Sequence, residues 1–345
     1  MQLPGDDLQH VLARTGGLWS ALERCDVFLT GGTGFFGRWL VETYLAAHDA
    51  FGLRGRLVVL SRDPARLSAS APQLAAHPAL VLLEGAQHDF RAPTGDFGLV
   101  IHAAVEYGAP DVVLRSNLLG SERVLSFAAE RRVRDVLLLS SGAVYGKQPA
   151  DLMAVPESYA GAPDVSRIDS AYGEMKRASE LMGLAYAQSG GFAFKAARGF
   201  AFVGPHLSLD AGSAIGNFMR DALANTPIRI LGDGTTVRSY LYAADLAIWL
   251  WTIALRGAPG RAYNVGSDVD VALADVARRV ARHLSPEPPV TIAQLPVAGR
   301  PSDRYVPDVQ RARSELGLDV WIDLDGGIER TLRWHRQRRG DRADS

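Results

Sequence analysis

The sequence predicts an α/β protein with a doubly wound parallel sheet, and two patterns predict it. Short β-branched or Leu-rich runs alternate with longer helical patterns through the first two hundred residues, the sign of βαβ units. A glycine-spaced turn lies between the first such run and the helical pattern that follows. The expected strands are 26–29, 57–60, 80–83, 99–101, 136–139 and 192–197, with helices at 37–47, 112–131 and 170–188 between them. Residues 1–24 read as a helical extension whose apolar side carries Leu8, Val11, Leu12, Leu18 and Leu22, a packing element without chemistry. Beyond residue 200 the pattern loosens into short strands, turns such as Gly232-Asp233-Gly234, and helices near 213–224, 244–255 and 272–284.

Charge is nearly balanced, with 37 Lys and Arg against 38 Asp and Glu, so a nucleic-acid groove or an anionic membrane surface is not expected. The richest apolar stretch, 243–255, is too short to span a bilayer and contains Asp245, which makes it a buried core helix. Cys25 is the only cysteine, which rules out an intramolecular disulfide and a multi-cysteine zinc site and fits a reducing, cytoplasmic setting. The first ten residues carry acids and Pro4 where a secretory signal would carry a basic end and an apolar run. Five arginines after residue 332 are expected to end a last helix and continue into a flexible tail, 338–345.

The turn after the first strand is Thr30-Gly31-Gly32-Thr33-Gly34-Phe35-Phe36-Gly37. Glycines at 31, 34 and 37 let the backbone turn tightly, approach a pyrophosphate and pack helix against strand, with Thr33, Phe35 and Phe36 beside them. Strand before and helix after supply the context that a dinucleotide-binding motif demands, so 25–200 is expected to be a Rossmann-type NAD(P)-binding domain. The remainder, 201–337, is expected to be a smaller α/β substrate-binding region, interleaved with that domain around 239–265. At the end of the second strand a carboxylate would bond the ribose of NAD, whereas a cation would meet the extra phosphate of NADP. Ser61-Arg62 stands there, which tilts the expectation toward NADP(H).

Tyr172 and Lys176 are four residues apart in a helical pattern and therefore share a face. A nearby ammonium, together with the positive nicotinamide of an oxidised cofactor, favours the phenolate, so Tyr172 is expected to exchange a proton with a substrate hydroxyl while Lys176 also binds the nicotinamide ribose. The fifth strand ends in Ser140-Ser141, and Ser141 is the expected hydroxyl that polarises the substrate C–O bond.

These motifs, in this order from about residue 25 to 334, resemble the NAD-dependent epimerase/dehydratase family of extended short-chain dehydrogenases. The segment His102-Ala103-Ala104 and Asn117 match the family's cofactor contacts. Tyr107, Gly142, Ala143, Phe200, Ala201, Asn217, Arg238 and Arg300 fall where the family meets its nucleotide-sugar substrate. Arginines suit a diphosphate because their planar fork pairs with its oxygens. The resemblance also implies a homodimer packed through helices 112–131 and 170–188. Relatives that eliminate water place acids just after the serine, where this chain has Gly142 and Ala143. Ala86 likewise replaces the usual adenine-contacting aspartate. The resulting expectation is an oxidoreductase acting at C4 of a nucleotide-activated hexose, of 4-keto reductase or 4-epimerase type. A 4,6-dehydratase or decarboxylase of the same family is the alternative, and a dinucleotide-sensing protein without chemistry is the remote one.

Overall fold

The computed structural model describes residues 2–210, 212–299 and 301–343. Its main sheet has seven strands: β1 (Asp26–Thr30), β2 (Leu57–Ser61), β3 (Leu80–Glu84), β4 (Phe97–His102), β5 (Asp135–Ser141), β6 (Ala193–Gly199) and β7 (Arg261–Val265). Their order is β7-β6-β5-β4-β1-β2-β3, and every pairing is parallel. Consecutive strands run outward in both directions from β1 and β4. The connections after these two strands therefore diverge and leave a crevice at their C-terminal ends.

Both faces of the sheet are covered, so the strands read as continuous apolar runs. Successive side chains alternate between two cores. Val27, Leu29, Val59 and Ile101 face one side, where helix α2 (Phe35–Phe51) contributes Trp39 and Leu40. Phe28, Val58, Val100 and Val136 face the other, against Val124 and Phe127 of helix α3 (Pro110–Glu130). Helix α4 (Ala171–Gly190) packs beside α3 and carries the Tyr/Lys pair. Helix α5 (Ala243–Arg256) is buried along almost its whole length, as its composition predicts. Its Asp245 accepts hydrogen bonds from the Trp321 and Ile322 backbone and lies 2.7 Å from His10, which explains a carboxylate inside an apolar helix.

The N-terminal extension is a helix over Gly5–Thr15 followed by a 3-10 segment over Gly16–Leu22. Trp19 packs at 4.9 Å on Trp251, and buried Asp7 bonds the Tyr242 hydroxyl and Arg330, each at 2.6 Å. The extension thus ties α5 to the terminal helix Leu324–Ala343.

Beyond residue 200 a three-stranded sheet joins Val237–Ser239 to Arg304–Tyr305 in parallel and to Asp270–Ala272 in antiparallel register. Strand β7 was not expected as a strand, because Arg261-Ala262-Tyr263-Asn264-Val265 lacks the β-branched density of the other six. The segment read as a flexible tail is helical as far as Ala343, while Asp344 and Ser345 lie outside the described residues. No helix among the described residues is long and apolar enough to cross a membrane.

Removing one partner of a buried ion pair leaves an uncompensated charge. Arg330→Met should therefore lower unfolding free energy by about 3 kcal/mol, read from the urea midpoint. An unchanged midpoint would mean that the extension is not held through Asp7.

Candidate active site

A cavity of about 560 Å³ occupies the crevice, running from the glycine turn to Tyr172. Gly31 has φ +77°, and Gly34 donates its N–H to the Gly31 carbonyl at 3.2 Å as it leads into α2. A Cβ on Gly37 would lie 2.2 Å from that same carbonyl, so helix and turn meet this closely only at glycine. Gly31, Thr33, Gly34, Phe35, Phe36 and Gly37 all line the cavity, as the spacing predicts.

The opposite wall is fixed by a relay of polar contacts. Thr30 Oγ1 accepts from the Ala103 and Ala104 N–H groups at 3.2 and 3.1 Å and meets His102 Nδ1 at 2.8 Å. Burial and the Lys176 charge push His102 down to about 3, so it stays neutral. Ala103 and Ala104 line the cavity. Asn117 does not; its amide bonds Glu106 N, Glu106 O and Val113 O and holds the 103–107 wall from behind. Ser61 does not line it either; it is buried and its hydroxyl accepts from Asp63 N–H. Arg62 reaches the cavity rim with its guanidinium paired to Glu106 at 3.0 Å.

At the far end, Ser141 ends β5 and accepts from Ala143 N–H at 3.1 Å. Tyr172 and Lys176 project from the first turns of α4, and Lys176 Nζ donates to the Leu139 carbonyl at 2.6 Å. The ammonium lies 6.0 Å from the Tyr172 ring centre, and Ser141 lines the same cavity as the Tyr172 phenol. All three residues line the cavity, so the expected trio comes together. Burial, reinforced by neighbouring Tyr107 and Tyr305 and only partly offset by Ser141, holds the Tyr172 phenol above its ordinary range. Burial likewise pushes Lys176 down to about 8, with Glu180 partly restoring it. At these positions desolvation outweighs the pairwise attraction that the spacing suggests.

Among the expected substrate contacts, Tyr107 stacks on Tyr172 with ring centres 6.1 Å apart, and Phe200 lines the cavity. Gly142, Ala143 and Ala201 do not line it. Ala201 instead accepts from Leu241 N–H, and a side chain at 142 has no room, because a Cβ there would lie 2.7 Å from the Tyr305 hydroxyl and 2.8 Å from Phe200. Asn217 lies on the helix Ala214–Leu223 with its carbonyl bonded to Arg220, away from this cavity. Arg238 does not line it and lies 5.7 Å from the Tyr305 ring centre. Arg300 lies outside the described residues. Sequence reasoning missed Tyr305, Glu106 and Gln87; none carries a motif spacing, and each is placed by a fold-level contact.

Lys176 yields a stability test. Its folded pKa of about 8 lies below the ordinary 10.5, so the unfolded chain holds that proton more tightly. The burial penalty is full below pH 8 and is relieved as pH rises from 8 toward 10.5. Urea unfolding of wild type should therefore gain stability across that window relative to Lys176→Met. Parallel pH profiles would contradict the assignment.

The model of the NAD dependent epimerase/dehydratase family matches residues 27–266. UDP-glucuronic acid decarboxylase 1 of Arabidopsis thaliana is 26% identical over 325 residues, covering 92% of this chain and 71% of the relative. The dTDP-glucose 4,6-dehydratase DesIV of Streptomyces venezuelae, solved with NAD bound, superposes with TM-score 0.75 at 23% identity over 91% of this chain and 98% of its own. MoeE5, solved with UDP-glucuronic acid and NAD, gives TM-score 0.73 at 24% identity over 91% and 99%. With a glycine turn, a seven-stranded parallel sheet and the serine, tyrosine and lysine gathered in one crevice, the chain belongs to the NAD dependent epimerase/dehydratase family of extended short-chain dehydrogenase enzymes.

Proposed function

We propose that the protein oxidises C4 of a nucleotide-activated uronic acid with bound NAD, releases the C6 carboxylate as carbon dioxide, and reduces C4 again. The observation that carries this reading is a complete serine, tyrosine and lysine trio with no carboxylate beside it. Glu106 is the one carboxylate lining the cavity among the described residues, and Arg62 holds it. Elimination of water needs a base at C5 and an acid at C6. A C4 ketone, by contrast, makes the C6 carboxylate a β-keto acid, which loses carbon dioxide without further acid–base groups. The names of the relatives accordingly favour the alternative that the sequence placed second over the reductase or epimerase that it placed first.

The glycine turn fits a dinucleotide pyrophosphate, since its backbone approaches closely and opens onto the N-terminus of α2. Lys176 spends one N–H on Leu139 and keeps two for the nicotinamide ribose. When bound, oxidised NAD supplies the hydride acceptor for C4 and a positive charge that favours the Tyr172 phenolate against its burial. Tyr172 takes the C4 hydroxyl proton while the Ser141 hydroxyl donates to the same oxygen. On loss of carbon dioxide the C5–C6 electron pair moves into an enolate whose oxygen these two groups hold, and C5 is protonated from water. NAD is proposed over the expected NADP because Arg62 is already committed to Glu106 and the Ser61 hydroxyl to the Asp63 N–H. The single thiol fits a cytoplasmic setting.

A 4-epimerase uses the same trio without an acid pair and is the second reading. Incubation with NAD and UDP-glucuronic acid should give a UDP-pentose and carbon dioxide without net NADH. Epimerised UDP-glucose would favour the second reading, and a 4-keto-6-deoxy product would contradict both. Tyr172→Phe should lower turnover by about 10²–10⁴.

The homodimer is proposed through α3 and α4, which expose Leu119 and Leu181 at 44% and 69% along with Val112 and Leu184. Leu181→Glu combined with Leu184→Glu should halve the mass measured by light scattering. A wild-type monomer would contradict the proposal.

A further inference from the structure

A second cavity, of about 640 Å³, opens against the same glycine turn. Thr33, Gly34 and Phe35 line both cavities, so one turn separates them. The other walls of the second are the helix Pro64–Ser70, the loop 206–210 and the terminal helix Leu324–Ala343, none of which reaches the first. Arg38 of α2 is buried in its lining, and its Nε and Nη2 donate to Glu42 at 3.2 and 2.7 Å. Nη1 is left with a long 3.5 Å bond to Ser70. Glu42 is fully engaged, because it also accepts from the Leu3 N–H at 2.6 Å and meets His206 Nε2 at 3.2 Å.

Glu42 therefore offsets Arg38, and the surplus positive charge comes from two exposed arginines on other elements. Arg66 makes no ion pair or side-chain hydrogen bond among the described residues. Arg338 lies over the Trp334 ring at 5.4 Å, and that ring meets His206 with centres 4.7 Å apart, so the terminal helix holds this charge beside the loop. Burial, with Glu42 partly opposing and the Arg38 and Arg338 charges adding, keeps His206 below its ordinary value, which shows that both guanidiniums act on the same part of the lining. Asp210 is the one carboxylate lining the cavity among the described residues; it is 82% exposed and lies 3.8 Å from Arg220. Arginines from three elements thus converge on one concave space with too few acids to neutralise them, beside the positive N-terminal end of α2. Their planar forks suit phosphate oxygens. The volume exceeds that of inorganic phosphate, and Leu207 and Leu209 supply an apolar wall for an organic part. We infer that this cavity binds a phosphate- or diphosphate-bearing small molecule in addition to the dinucleotide. The inference is independent of which reaction the first cavity performs.

Inorganic pyrophosphate, titrated by calorimetry into the full chain saturated with NAD, is the probe. It should bind, and Arg66→Ser combined with Arg338→Ser should weaken that binding by at least about tenfold, the loss expected when two charge-assisted hydrogen bonds are removed. Both arginines are exposed and lie outside the first cavity, so the urea midpoint, NAD affinity and turnover without pyrophosphate should be unchanged in the double variant. No binding to wild type, or equal binding to the double variant, would overturn the inference, the second because it places the pyrophosphate elsewhere. Loss of pyrophosphate binding when NADP replaces NAD would assign these arginines to a phosphate on the cofactor itself and would overturn it too, as would a fall in NAD affinity in the double variant.

Discussion

The site depends on a buried ammonium. Lys176 sits inside the protein with the Leu139 carbonyl 2.6 Å away as its hydrogen-bond acceptor, so its charge is costly and its position is fixed. That bond joins α4 to the end of β5. It sets the depth at which Tyr172 stands beside Ser141, because the phenol is one helical turn before the lysine on the same face. One turn further on, Glu180 supports the charge and is itself bonded to Ser140 and gripped by Arg198 at 2.6 Å. Arg198 donates on to the Tyr145 hydroxyl, which donates to Asn264 of β7. The chain of polar contacts therefore runs from Lys176 across β5 and β6 to the edge of the sheet.

Two kinds of constraint converge on the crevice. The glycine turn is steric: at Gly31 and Gly37 backbone atoms approach so closely that no side chain fits. The opposite wall is polar: Thr30, neutral His102 and Asn117 pin the segment 103–107 through hydrogen bonds that α3 cannot supply by packing alone. Between them lies the cavity of about 560 Å³, whose far end is lined by three side chains from two elements, Ser141, Tyr172 and Lys176. The second region of the chain adds Phe200, Arg238 and Tyr305 to that end.

The sheet, the glycine turn and the trio were legible in the sequence because each is a local pattern. Six strands are apolar runs, the turn has fixed spacing, and Tyr172 and Lys176 are four apart on one helix. Residues placed by long-range contacts were not legible. Tyr305 lies far from Ser141 in the chain and is delivered by a two-residue strand with no periodicity. Nor were the partners of Asn117 and Ser61 legible, the Val113 carbonyl and the Asp63 N–H, because order along the chain does not say which groups a side chain meets. The upward pull of burial on Tyr172 was not legible either, since spacing reports the neighbour but not the loss of water around both groups. Strand β7 was overlooked because Tyr263 and Val265 are buried by α5 and the helix Gln310–Leu316, not by a pattern of their own.

A crystal structure of the complex with NAD and UDP-glucuronic acid tests the central claim most directly. The account predicts nicotinamide C4 roughly 3–3.5 Å from sugar C4, with the Tyr172 and Ser141 oxygens both bonded to the C4 hydroxyl and Lys176 on the nicotinamide ribose. A sugar seated elsewhere, or a nicotinamide turned away from Tyr172, would contradict it.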